Sequence, residues 1–264
     1  AGAAMRAGRD AQVQQDYEAV TISAAPDSRS PEGGGGEVTF LVQKAEKFGQ
    51  EDDFLTFSDN YGDRTDYWHG VDLNVNARLL NGLTLQGGTN TGRGVRDDCE
   101  IVAALPELQN QRVDSCAVTE NWLTTLRGLF SYTIPKVDVL LSGVFRSNPN
   151  TVPAGTPASV GGSLSANYNV TNAQIIAAIG RPLPGNAQTR SINLLLPNQL
   201  YGDRLNSMDL RVAKVLRFGS TRTTVGLDLY NVTNANTPTT YNTGYGTGGA
   251  TWLRATAILN PRFV

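Results

Sequence analysis

The chain has 264 residues, of which 40% are hydrophobic and 17% charged, and its formal net charge is −2. That length serves one large core or two small ones, and the near-neutral balance without a basic stripe excludes a broad footprint for nucleic acid. The 28 glycines, with many Asn and Thr, suit strands and turns rather than helices. The longest apolar runs, such as Ile101 to Leu105 and Ile175 to Ile179, have five residues, against the roughly 18 of a membrane helix.

Residues 1–36 show no periodicity and end in Pro31-Glu-Gly-Gly-Gly-Gly36, which reads as an irregular surface segment. The chain opens on Ala1 rather than Met, as a mature or partial product would. The glycine run lacks a following Lys-Ser/Thr and a helix, so it reads as flexible chain rather than a phosphate loop. Residues 37–264 read as one β domain. A short strand carries Val38, Phe40 and Val42 on one face. The acidic stretch from 44 to 65, with Glu51-Asp52-Asp53, Asp59 and Asp63, reads as a solvated loop. It has carboxylates for Ca²⁺ but lacks a full ligand loop ending in a bidentate Glu.

Three hairpins follow, each with a side-chain period of two. In the first, Val71, Leu73 and Val75 oppose Asp72, Asn74, Asn76 and Arg78, and the chain turns at Asn81-Gly82, a strong hairpin signal. The second runs from Leu126 to Phe145 through Pro135-Lys136, setting Val139 and Leu141 against Asp138 and Arg146. The third turns at Phe218-Gly219-Ser220. There Leu210, Val212, Val225, Leu227 and Leu229 oppose Asp209, Arg211 and Asp228. Lys214 falls on the apolar face near the turn, where its stem is long enough to snorkel. Between the hairpins lies a polar loop at 93–119 with Cys99 and Cys116, a pair that fits a loop-closing disulfide better than a metal site. Prolines punctuate 148–200, where short strands are expected near 162–170 and 189–196 with a loop between. A last run spans Ala250 to Leu259.

Two runs of about ten residues joined by a tight turn fit a transmembrane β-hairpin, and the alternation of short and long connections fits an antiparallel up-and-down barrel with long outer loops. On that reading Val71, Leu73, Val75, Val139, Leu141, Leu210, Val212, Val225, Leu227 and Leu229 face lipid. Asp72, Asn74, Asn76, Arg78, Asp138, Arg146, Asp209, Arg211 and Asp228 face the lumen. A soluble barrel or sandwich shares the same pattern. Tyr67, Trp68, Trp122, Tyr132, Phe145, Phe218, Tyr230 and Trp252 fall near strand ends, as in an interface girdle or in ordinary cross-strand packing.

No catalytic constellation stands out. The lone histidine, His69, reads as a surface residue, and GxSxG, HExxH, CxxC and phosphate-loop motifs are missing. The expectation is a protein that is not an enzyme and holds no cofactor or metal. The acceptor patterns Asn169-Val-Thr and Asn231-Val-Thr are chance matches on a bacterial reading.

Several stretches together resemble the C-terminal barrel of TonB-dependent receptors, specifically the Oar-like members with a carboxypeptidase-regulatory-like domain, as in Acidobacteria. They are Phe48-Gly49, Tyr61-Gly62, Trp68-His-Gly-Val-Asp72, Asn76-Ala-Arg78, Leu83-Thr-Leu-Gln-Gly-Gly-Thr-Asn-Thr-Gly92 and Ser131-Tyr-Thr-Ile-Pro135. Tyr201-Gly-Asp-Arg204, Asp209-Leu-Arg211, Leu216-Arg-Phe-Gly219, Leu227-Asp-Leu-Tyr-Asn231 and Ile258-Leu-Asn-Pro-Arg-Phe263 complete the set. Order and spacing match over residues 17–264. The resemblance implies a bacterial outer-membrane barrel of about 22 strands with an N-terminal plug, taking up a small ligand of unspecified identity. Its partners would be outer-membrane lipid and, through the plug, the TonB complex. This segment contains no plug, TonB box or regulatory-like domain and stops at Val264, where the family continues into a last aromatic-ended strand. About ten strands of the larger barrel are therefore expected here. A surface structural or adhesive protein without transport is the competing expectation.

Overall fold

The computed structural model describes residues 4–7, 16–50, 54–79, 82–109, 111–150 and 163–264. Asn81 of the first turn, the acidic triplet Glu51-Asp52-Asp53 and most of the segment before Tyr17 lie outside them. Four short strands come first: β1 (Ala4–Ala7), β2 (Tyr17–Ser23), β3 (Glu37–Gln43) and β4 (Phe54–Phe57). Two long ones follow, β5 (Thr65–Arg78) and β6 (Leu83–Asp97), then helix α1 (Cys99–Ala104) and strand β7 (Ala117–Thr119). Next are β8 (Leu123–Ile134), β9 (Val139–Asn150), β10 (Asn167–Thr171), helix α2 (Asn172–Ile179) and β11 (Thr189–Asn193). The last are β12 (Gly202–Phe218), β13 (Thr221–Leu229), β14 (Pro238–Tyr241), β15 (Gly244–Gly246) and β16 (Ala255–Ile258). The architecture is all-β with mostly antiparallel pairing and two short α-helices among the described residues.

The long strands form one antiparallel meander in the order β13-β12-β9-β8-β6-β5, with β7 added beside the far end of β6. The sheet is open, with β5 and β13 as edges, and no barrel closes among the described residues. Its register sets like against like. Leu210 pairs with Leu229, Val212 with Leu227, Leu141 with Val212 and Leu85 with Phe130. Since antiparallel partners share a face, one apolar surface runs across six strands. Glycines make room on it for large neighbours: a β-carbon at Gly143 would collide with Phe130 and stand 2.7 Å from Leu210. Among the described residues no layer covers this surface. Val71 is 69% exposed, Leu73 59%, Val225 58% and Leu227 53%, where a soluble two-layer fold would bury them.

The turns after β5, β8 and β12 are short, and Gly219 in the last of them has a φ of 59°, which suits glycine. The long connections leave the opposite end and pool into a cap. Its core joins Val20, Ile22, Val38 and Phe40 of the β2–β3 pair with Val170, Ile175, Ile192, Tyr245 and Trp252 of later loops. Two expectations fail here. Tyr17–Ser23 is a regular strand rather than irregular chain, pairing from Tyr17↔Gln43 to Ser23↔Glu37. Strand β3 belongs to that pair and not to the long sheet. The stretch between the short strands at 167–171 and 189–193 holds a helix rather than a loop. Thr171 and Gln174 cap it reciprocally, and Gly180 ends it with a φ of 74°.

Candidate functional site

The polar face of the sheet is a groove of about 650 Å³ across β5, β6, β8 and β9, lined by Asp72, Asn74, Asn76, Asn90, Arg127 and Arg146 among others. It arises from pairing. Asp72 pairs with Asn90, Asn74 with Gly88, Gly88 with Arg127, and Arg127 with Arg146, so four strands present polar groups in one row. Asn90 Nδ2 donates to Asp72 Oδ1 at 2.5 Å. Asn74 lies over Gly88, where only a glycine leaves space for its amide.

Charge on this face is partly paired. Arg146 stands 3.8 Å from Asp209, and Arg211 stands 3.5 Å from Asp228. Asp209 also accepts from the Asn231 backbone N–H at 2.9 Å. Arg127 has no carboxylate partner among the described residues, and the neighbour across the register is another arginine. These exposed pairs contribute little to stability individually.

Of the polar residues singled out in the sequence, Asp72, Asn74, Asn76, Arg78, Arg146, Asp209, Arg211 and Asp228 fall on this one face by register. Asp138 does not. It sits in the β8–β9 turn with a φ of 48°, where its carboxylate accepts from Arg217 Nη2 at 2.8 Å. The apolar set Val71, Leu73, Val75, Val139, Leu141, Leu210, Val212, Val225, Leu227 and Leu229 falls on the opposite face. Lys214 shares that face, and its ammonium turns to the Val137 carbonyl at the turn.

The aromatic residues divide. Tyr67 packs edge-on against His69 at 4.7 Å, and Arg93 lies 5.4 Å from the Trp122 ring, all at the cap end of the apolar face. Trp252 is 2% exposed inside the cap and takes no part in a girdle. Trp68 is the instructive miss. Its parity is that of Asp72, so it lies on the polar face, across the paired glycines Gly70 and Gly92, neither of which leaves room for a β-carbon. Counting in twos from Asp72 places it there, whereas its position at a strand end pointed to a girdle. Gln86 and Arg127 fall on the polar side of their strands by parity as well, and pairing brings them, with Asn90, into the groove.

In the cap, Cys99 and Cys116 form a disulfide with a Cα–Cα distance of 4.9 Å, fastening α1 beside β7. A second cleft, of about 200 Å³, involves Asp27, Arg112, Tyr245 and Trp252. Its polar groups already hold one another. Arg29 brackets Asp27 through Nε at 3.0 Å and Nη2 at 2.6 Å, and the Tyr245 hydroxyl donates to the same carboxylate at 3.1 Å. Arg112 donates to Asp114 at 2.6 Å and to the Leu194 carbonyl at 2.5 Å. The Arg29 bond holds Asp27 down to about 2, while burial, followed by the Asp27 contact, pushes the Tyr245 phenol up. Among the described residues no group of three His, Cys, Asp or Glu side chains is placed to hold a metal. Among the described residues no helix is long and apolar enough to cross a membrane, which says nothing of crossing by strands.

No protein-family model, curated protein or solved structure matches the chain.

Proposed function

We propose that this chain is part of an outer-membrane β-barrel of the TonB-dependent receptor type, taking up a small ligand along a wet lumen. The observation that carries this reading is the uncovered apolar face, continuous over six strands in register, backed by a polar groove on the reverse. In water that face is an unfavourable exposure; in a bilayer it meets hydrocarbon, while the inner strands pair within the sheet and the open edges β5 and β13 would pair with further strands of the larger barrel. Strands of 9 to 17 residues meet or exceed the roughly 9–11 needed to cross at a tilt. The cap, built from the long connections, would stand at the outer surface, where an oxidising milieu suits the Cys99–Cys116 bridge. Lipid contacts the apolar face, and the TonB complex acts through a plug that this segment does not supply.

Purification decides the membrane part. The chain should require detergent, and unheated samples should migrate on gels faster than boiled ones. A chain that stays monodisperse in buffer alone would remove the reading. A surface adhesive protein is the second reading, favoured by the cap's own hydrophobic core. It predicts partner binding by the cap without any ligand uptake in whole cells.

A further inference from the structure

We propose that the polar groove binds an acidic oligosaccharide, with Trp68 as a stacking platform at one end and Arg127 with Arg146 as a carboxylate site at the other. The assignment rests on the polar face being the wet wall of the lumen. Trp68 is seated by two glycines paired across β5 and β6, Gly70↔Gly92, and the indole spreads over both. It nevertheless stays 52% exposed. An indole supported on one side and open on the other presents its electron-rich face beside the Asp72–Asn90 end of the groove. That surface attracts the polarised C–H bonds on the flat side of a pyranose ring.

The groups next along β5 and β6 suit hydroxyls. Asp72 follows Gly70 by two positions, and Asn90 precedes Gly92 by two. Asp72 accepts one bond from Asn90 and, when ionised, retains further acceptor positions. Asn74, Asn76 and Gln86 add amides that both donate and accept. Sugar hydroxyls, which also do both, match such a wall better than a purely anionic or apolar ligand would.

The charge at the far end selects an acid. Arg127 and Arg146 are register partners, so their β-carbons lie roughly 5 Å apart, a like-charge arrangement that is unfavourable unless an anion is shared. Asp209 offsets Arg146 at 3.8 Å, leaving Arg127 uncompensated among the described residues. A carboxylate bridging two guanidinium groups satisfies both. Asn74, level with Arg127 across Gly88, is four residues from Gly70, over which the indole lies, roughly 13 Å along the strand. Occupying both ends therefore takes an oligomer rather than one sugar.

The test is calorimetric titration of the detergent-purified full chain with trigalacturonate and with maltotriose. Trigalacturonate should bind, with maltotriose about tenfold weaker. Arg127→Gln should abolish that preference while sparing maltotriose. Trp68→Ala should weaken trigalacturonate binding about tenfold, with Trp68→Phe restoring most of it. Gly92→Val, which evicts the indole, should act like Trp68→Ala. No heat with trigalacturonate at millimolar concentration overturns the assignment. So does an unchanged affinity in Trp68→Ala, or an acid preference that survives Arg127→Gln. The two readings fail separately. A chain that needs detergent but ignores trigalacturonate loses only this ligand, whereas one that needs no detergent loses the membrane reading itself.

Discussion

Arg29 Nη1 donates to the Trp252 carbonyl at 2.8 Å while its guanidinium lies 5.3 Å from the centre of the Trp252 ring, joining residues 223 positions apart. The indole is buried and donates through Nε1 to the Ser165 carbonyl at 2.8 Å, with Tyr245 edge-on at 5.3 Å. Three separate loops therefore meet on one side chain. Trp252→Ala should cost about 3–5 kcal/mol, the range for emptying a large buried aromatic site. The loss should appear as faster amide exchange in β2, β3 and β10, with β8 and β9 unchanged. Uniform loss of protection over the long sheet would mean that the cap and sheet unfold as one unit.

Acid should loosen the same junction. The Arg29 side-chain bond holds Asp27 down to about 2, against the opposing effect of burial, helped by the Arg29 backbone N–H and the Tyr245 hydroxyl. A carboxyl whose folded value lies below its unfolded one adds stability above the unfolded value, near 3.8, and that contribution is lost as pH falls through about 2. The window is thus between pH 4 and 2. Tyr245, raised by burial, remains a donor throughout. Proteolysis with an acid-active protease should show cleavage in the 24–36 loop rising across that window. Asp27→Asn should be cut at pH 5 and show no further rise.

Reduction should open the cap elsewhere. Cys99 and Cys116 are separated by 17 positions, for which the chain-entropy model gives about 3 kcal/mol. The Cys99→Ser/Cys116→Ser double variant should exchange faster over residues 98–119. It should leave β12 and β13 unaffected, because the bridge sits beside β7, which pairs with β6, and β8 and β9 separate β6 from β12. Matching exchange maps for the oxidised and reduced chains would show that α1 is held by Ile101 and Leu105, which are buried, rather than by the bridge.

The long sheet was readable because a period of two is local: Val71 to Arg78 states both faces without help from the rest of the chain. The cysteine pairing was readable for the same reason, lying within one loop. The cap was not. Val20 and Ile22 are buried only because Ile175, Tyr245 and Trp252 arrive from far along the chain, and no window of sequence displays that. Helix α2 has a local signal, Thr171-x-x-Gln174 ahead of an apolar run closed by Gly180, but it stands among prolines that argue for a loop. The groove was half legible. Asp72 and Asn74 follow from parity, but that Arg127 faces Arg146 depends on strand register, which short turns fix only after the fold is known.

Neighbouring positions on β5 offer the sharpest separation of the two faces. Leu73 is 59% exposed on the apolar face, and Asn76 lies three residues on, lining the groove. On the proposed barrel reading an arginine at Leu73 places its charge in hydrocarbon, at a cost of about 2–4 kcal/mol near the bilayer centre. The same substitution at Asn76 adds one more charge to a wall that already carries Asp72, Arg78 and Arg127, where water screens it. Leu73→Arg should therefore lower the yield of heat-modifiable protein in lipid vesicles severely, and Asn76→Arg should leave it near the parent. In water the order has no reason to hold, since both positions are exposed and surface charges change stability little. Equal tolerance of the two arginines in vesicles would mean that lipid does not meet the Leu73 face, and the sheet would then need a protein layer to cover it.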